Sequence, residues 1–151
     1  MDIKDALKNN LKGDALENAL GFAYYLIEKG LEPVMEWDKG CRFVKNGRSP
    51  CLFVFNMQNN GEWFICDMPV TVEPEWEQLC DSLKEFILSN IKVCSVHVGE
   101  PCGCGSEPGV SKVVFGKGYD NLCTAEIQFI NPDAGVLKKL KEVVEWWAGI
   151  V

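Results

Sequence analysis

Leu16, Ala19, Leu20, Ala23 and Ile27 return at helical spacing, which predicts an amphipathic helix over residues 15–29. Asp14, with Glu17 three residues on, fits a capping box at its start, and Gly30 offers a left-handed stop at its end. A weaker amphipathic stretch, residues 2–12, ends at Gly13 and predicts a short helix ahead of it. The period then changes from 3.6 to two. Residues 33–37, 41–45, 51–55 and 63–66 read as four strands, separated by turns at 38–40, Asn46-Gly47 and 59–61. Asn-Gly marks a tight hairpin because both central residues of a type I′ turn need positive φ. Pro50, which has no backbone N–H, fits only a strand end or edge.

Pro74 suits a first helical position, and Trp76, Leu79, Cys80, Leu83, Phe86, Ile87 and Ile91 form one apolar stripe. A helix over residues 74–90 is expected, with Cys80 in its core face, so Cys80→Ser should destabilise by burying an unpaired hydroxyl. Residues 93–98, 112–115 and 122–130 read as three further strands, with a glycine-rich loop over 99–109. Asn131-Pro132-Asp133 introduces a last helix carrying Val136, Leu137, Leu140, Val143, Val144 and Trp147 on one side and its lysines on the other. Helices with single apolar faces set around runs of strands predict an α+β fold, an antiparallel sheet with three main helices packed on it, in one domain over 1–151. Phe43-x-Lys45-x5-Cys51 is echoed by Phe115-x-Lys117-x5-Cys123, which suggests a weak internal duplication.

Charge narrows the partners. A formal net charge of -7, with no dense basic run, offers little to a phosphate backbone or an anionic bilayer, so neither nucleic acid nor membrane is expected. The longest apolar run, residues 20–27, is far short of the ~20 residues that span a bilayer. The charged start of the sequence lacks the pattern of an export signal, and a cytoplasmic location is expected. In that compartment the eight cysteines are expected to be mainly small buried hydrophobes rather than a disulfide framework.

Residues 94–109 hold the single histidine and three of the eight cysteines. Cys102 and Cys104, flanked by glycines, would let two thiolates approach one metal, with His97 or Cys123 completing a tetrahedral zinc site. Cys94 and His97 point to opposite faces of a regular strand, which removes Cys94 from that set. Alternatively, Cys102 or Cys104 is a nucleophile with His97 as its base. The spacing of Gly103, Gly105 and Gly109 is wrong for a dinucleotide loop, and Gly116-Lys117-Gly118 lacks the rest of a phosphate loop. Along the four-strand meander, Trp37, Phe43, Phe55 and Trp63, with Phe53 and Phe64, either line an apolar ligand pocket or fill the core.

The stretch Phe115-Gly-Lys-Gly-Tyr-Asp-Asn-Leu-Cys123, followed by Phe129-Ile-Asn-Pro-Asp133, resembles the C-terminal portion of uncharacterised small proteins of clostridia and related gut bacteria. Cys102, Cys104, Gly109 and Cys123 carry the resemblance, while Gly118 stands where that pattern has a charged residue. The resemblance implies a bacterial, cytoplasmic protein and supplies no activity. Two functions remain open. The first is a non-enzymatic small-ligand-binding or regulatory module, with an aromatic pocket gated by residues 99–109. The second is a zinc or reactive-thiol site centred on Cys102 and Cys104.

Overall fold

A computed structural model describes residues 2–94 and 109–151, with backbone alone at 124–126. The fold is α+β, with antiparallel strand pairing, and its residues fall into two compact units, Met1–Cys66 with Phe129–Val151, and Asp67–Gln128.

In the first unit, α1 (Ile3–Asn10) and α2 (Gly13–Glu28) precede a meander of β1 (Glu32–Trp37), β2 (Gly40–Val44), β3 (Leu52–Phe55) and β4 (Trp63–Cys66). Asp2 caps α1, accepting from the Lys4 N–H, and Asp133 caps α4 (Ala134–Ala148), accepting from the Val136 N–H at 2.9 Å. The Asn46-Gly47 hairpin forms as its sequence requires: φ is 52° and 77°, and Lys45 and Arg48 exchange both backbone hydrogen bonds. Cys41, Phe53 and Ile65 lie opposite one another across three strands, and all three are fully buried. Phe53 is the hub of this layer. Its ring stacks on Phe22 of α2 at 5.7 Å and meets Phe43 at 4.8 Å and Trp63 at 5.5 Å.

That stack fixes the rotation of α2. Its buried residues are Ala19, Phe22, Ala23 and Leu26, whereas Leu16 and Leu20 are half-buried and Ile27 is 40% exposed. The stripe read from the sequence is therefore turned, because the larger Phe22 and Leu26 side chains gain most from facing Phe53. The capping box is absent as well: α2 starts at Gly13 behind Lys12, no side chain caps it, and Asp14 sits inside the first turn.

At its C-terminal end β7 (Lys117–Ile130) contributes Phe129 and Ile130 to this unit, next to β4 in the sheet order. Asn131 follows at φ 43°. Its N–H donates to the Trp63 carbonyl at 2.8 Å and its Oδ1 accepts from the Trp63 N–H at 3.0 Å, so one residue satisfies both backbone groups of a fully buried tryptophan.

The second unit opens with a 3-10 turn, Pro74–Gln78, and α3 (Asp81–Leu88). The single helix expected over 74–90 is thus two pieces. Leu79 and Cys80 are extended, with ψ of 141° and 151°, and separate the first turn from the helix; Trp76, fully buried, donates its indole N–H to Glu73 at 3.1 Å. The break moves Cys80 out of the core stripe to the exposed position before α3, where its sulfur lies 3.4 Å from the Ser82 hydroxyl. Cys80→Ser should accordingly leave the thermal midpoint unchanged, contrary to a core assignment; a fall of several degrees on melting would restore it.

β7 also pairs antiparallel with β5 (Ile91–Val93) and β6 (Val110–Val114), and Leu122 stands opposite both Val93 and Val110, so β7 lies between them. The β6–β7 turn is Phe115-Gly116, with φ of 48° and 74°. Phe115 thus occupies a turn position, while Phe43 is a fully buried strand residue, so the echo between the two halves does not place equivalent residues in equivalent structure. Between the pairs Lys112↔Tyr119 and Val110↔Leu122 the register slips, and Asn121 adopts φ 59° there. Asn121 grips Cys94 twice, its carbonyl accepting from the Cys94 N–H at 2.7 Å and its Nδ2 donating to the Cys94 carbonyl at 2.6 Å.

Candidate functional site

α2 and α4 run in the same direction, joined at three levels: Asn18 Nδ2 to the Pro132 carbonyl at 3.5 Å, the Tyr25 hydroxyl to the Lys141 carbonyl at 3.1 Å, and the Lys29–Glu145 ion pair. Between the first two of these ties the helices enclose a cleft of about 240 Å³, lined from α2 by Glu17, Asn18, Gly21 and Phe22 and from α4 by Ala134, Leu137, Lys138 and Lys141. Phe22 and Leu137, 1% and 6% exposed, form its apolar floor. Glu17, Gly21 and Lys138 are exposed, and Asn18 and Lys141 half-buried, so the charged groups stand at the rim.

Gly21 accounts for the opening. A Cβ added there meets nothing within 4 Å, so no neighbour requires a glycine, and φ is not in the left-handed region. Glycine in a helix interior costs about 1 kcal/mol relative to alanine. A helix-weakening residue therefore sits where the local packing does not call for one and where a longer side chain would occupy the cleft. Gly21→Ala is expected to stabilise the chain by about 0.5–1 kcal/mol in a denaturant titration; a loss of stability there would show that the glycine has a packing role instead.

Electrostatics hold the walls together at the far end. Burial, followed by the Glu145 charge, raises the Tyr25 hydroxyl above its usual range. The hydrogen bond from Lys29 to Glu145 raises the Lys29 ammonium in turn. The Lys141 ammonium lies over the Tyr25 ring at 5.0 Å, a cation–π contact.

The aromatic quartet singled out from the sequence does not share one environment. Phe43, Phe55 and Trp63 are 0% exposed within the first unit's interior, whereas Trp37 is 40% exposed beside the turn to β2. The Trp63 indole N–H has no acceptor among the described residues. Of the candidate zinc ligands, His97, Cys102 and Cys104 lie outside the described residues, as does most of the 99–109 loop, and Cys123 is half-buried on β7. Among the described residues no group of three or more His, Cys, Asp or Glu side chains is arranged to hold a metal ion. The described thiols differ sharply: burial pushes Cys41 up to about 12, while the Ser82 hydroxyl and nearby backbone N–H groups lower exposed Cys80. Among the described residues no helix is long and apolar enough to cross a membrane.

The cleft was missed by periodicity because its residues straddle the border between the buried and exposed sides of two helices. The signal that could have found it was Gly21 inside an otherwise regular helix, together with Lys138 and Lys141 three residues apart on another. Compared with protein-family models, curated proteins and solved structures, the chain matches none, so its function has to be argued from these residues.

Proposed function

We propose that the chain is a non-enzymatic small-ligand-binding or regulatory module whose ligand sits between α2 and α4. The observation that carries this reading is the cleft itself, an apolar floor of Phe22 and Leu137 with polar groups converging at its rim, kept open by a glycine. Ligand sites typically combine a mainly apolar concavity with a few placed polar groups, and this volume suits a molecule smaller than a typical drug. The ends of the cleft are tied by Asn18–Pro132 and Tyr25–Lys141, so the walls are organised before anything binds and the cost of ordering them on binding is reduced.

Amide-resolved NMR against a library of small metabolite-like molecules tests the proposal. Ligands are expected to move the amide signals of residues 17–22 and 134–141 together. Shifts confined to other parts of the chain, or none with any compound, would sink it.

A further inference from the structure

We infer that the cleft between α2 and α4 selects a small organic anion, a carboxylate on a short apolar body. The inference rests on the ligand-binding reading above and adds the sign of the charge. Lys138 and Lys141 are three residues apart on α4 and line the same recess, as helical neighbours at that spacing do. Ala134, in the first turn of α4, lines it too, so the positive end of the helix dipole faces the same space. Asp133 already serves one of that turn's N–H groups by accepting from Val136.

Among the described residues neither Lys138 nor Lys141 forms an ion pair, a state they share with other lysines such as Lys8, Lys12 and Lys92, and what sets them apart is that both line one recess. The Lys141 ammonium lies over the Tyr25 ring rather than against a carboxylate. Glu17 is the one acid in the lining, against Lys138 and Lys141, and the Asp133 carboxylate caps the helix end beside them. A carboxylate suits two ammonium groups and a helix N-terminus, each able to donate charge-assisted hydrogen bonds. Phe22 and Leu137 ask for an apolar body behind that head, which inorganic phosphate lacks.

Hexanoate, hexylamine, hexanol and inorganic phosphate separate these elements when titrated into the full chain with the amides of Asn18, Gly21, Lys138 and Lys141 as reporters. Hexanoate should bind. Hexylamine and phosphate should bind at least about tenfold more weakly, and Lys138→Glu should weaken hexanoate by a similar factor, the scale of one charge-assisted contact. Gly21→Leu should abolish binding while amide signals remote from the cleft stay in place. Hexylamine or hexanol binding as tightly as hexanoate, with loss in Gly21→Leu, would overturn the anion inference and leave the ligand-binding cleft standing. Phosphate binding as tightly as hexanoate would overturn the apolar body. If none of the four probes shifts the cleft amides, the anion inference falls; if the metabolite library also leaves them unmoved, the ligand-binding reading falls with it.

Discussion

Asn131→Ala should destabilise the chain by about 2–4 kcal/mol, read as a fall in the denaturant midpoint at constant slope. Two losses combine. The Trp63 N–H would lose the Oδ1 acceptor that now meets it at 3.0 Å, inside a residue with no exposed surface. An unsatisfied buried donor costs about 1–3 kcal/mol. Alanine at φ 43° would add the left-handed penalty of about 1–2 kcal/mol that asparagine partly escapes. Related variants separate these terms. Asn131→Asp keeps an acceptor and tolerates the backbone, so its effect should be the smallest. Asn131→Gly relieves the backbone but loses the acceptor, and should fall between. A change under about 0.5 kcal/mol for Asn131→Ala would mean that the clamp on Trp63 contributes nothing beyond an ordinary surface residue.

Gly109→Ala is the second large expected effect, at least about 2 kcal/mol, because overpacking against rigid backbone cannot be relieved by a rotamer change. A Cβ at this position would sit 2.5 Å from Asn121 Oδ1 and 2.6 Å from the Asn121 carbonyl carbon and oxygen. Asn121 cannot simply withdraw, since Cys94 holds both its backbone and its side chain. Gly118→Ala on β7 is the control, since a Cβ there meets nothing within 4 Å. Gly40→Ala should also be milder: its obstacle is the indole of Trp37, a partly exposed side chain with room to swing. Equal melting curves for Gly109→Ala and Gly118→Ala would refute the close approach at Asn121.

These expectations show how much could be read along the chain. The meander was legible because short apolar and aromatic runs are set off by turn residues, and local chemistry alone specifies the Asn46-Gly47 hairpin. The last helix was equally plain, with Asp133 as its cap and Leu137, Leu140, Val143, Val144 and Trp147 buried as their spacing requires. The segment over 74–90 was misread because apolar spacing continues through Cys80, while the backbone is extended at Leu79 and Cys80, which periodicity does not encode. In α2 two overlapping stripes fit the helical period, and Phe53, distant in sequence, selects between them. The roles of Asn121 and Asn131 were hidden for a similar reason. Asparagine at positive φ is common in turns, and only the three-dimensional neighbours, Cys94 and Trp63, reveal these two as clamps. The cleft forms where the borders of two helix faces meet, so neither helix announces it alone.

The interruption of the first unit by the second has a consequence during synthesis. As the ribosome delivers the chain from its amino end, α1, α2 and the four-strand meander emerge early, but Phe129–Val151, which completes their unit, follows only after all of Asp67–Gln128. Asn18, Tyr25 and Lys29 of α2 and the N–H of Trp63 must therefore wait for the partners they find in Pro132, α4 and Asn131. The nested unit, continuous in sequence, has no such wait. Apolar surface left uncovered in nascent chains is where aggregation and chaperone binding begin. Ribosome-stalled chains that stop short of residue 129 are thus expected to be protease-sensitive in α1, α2 and the meander, and to become resistant only when α4 has cleared the exit tunnel.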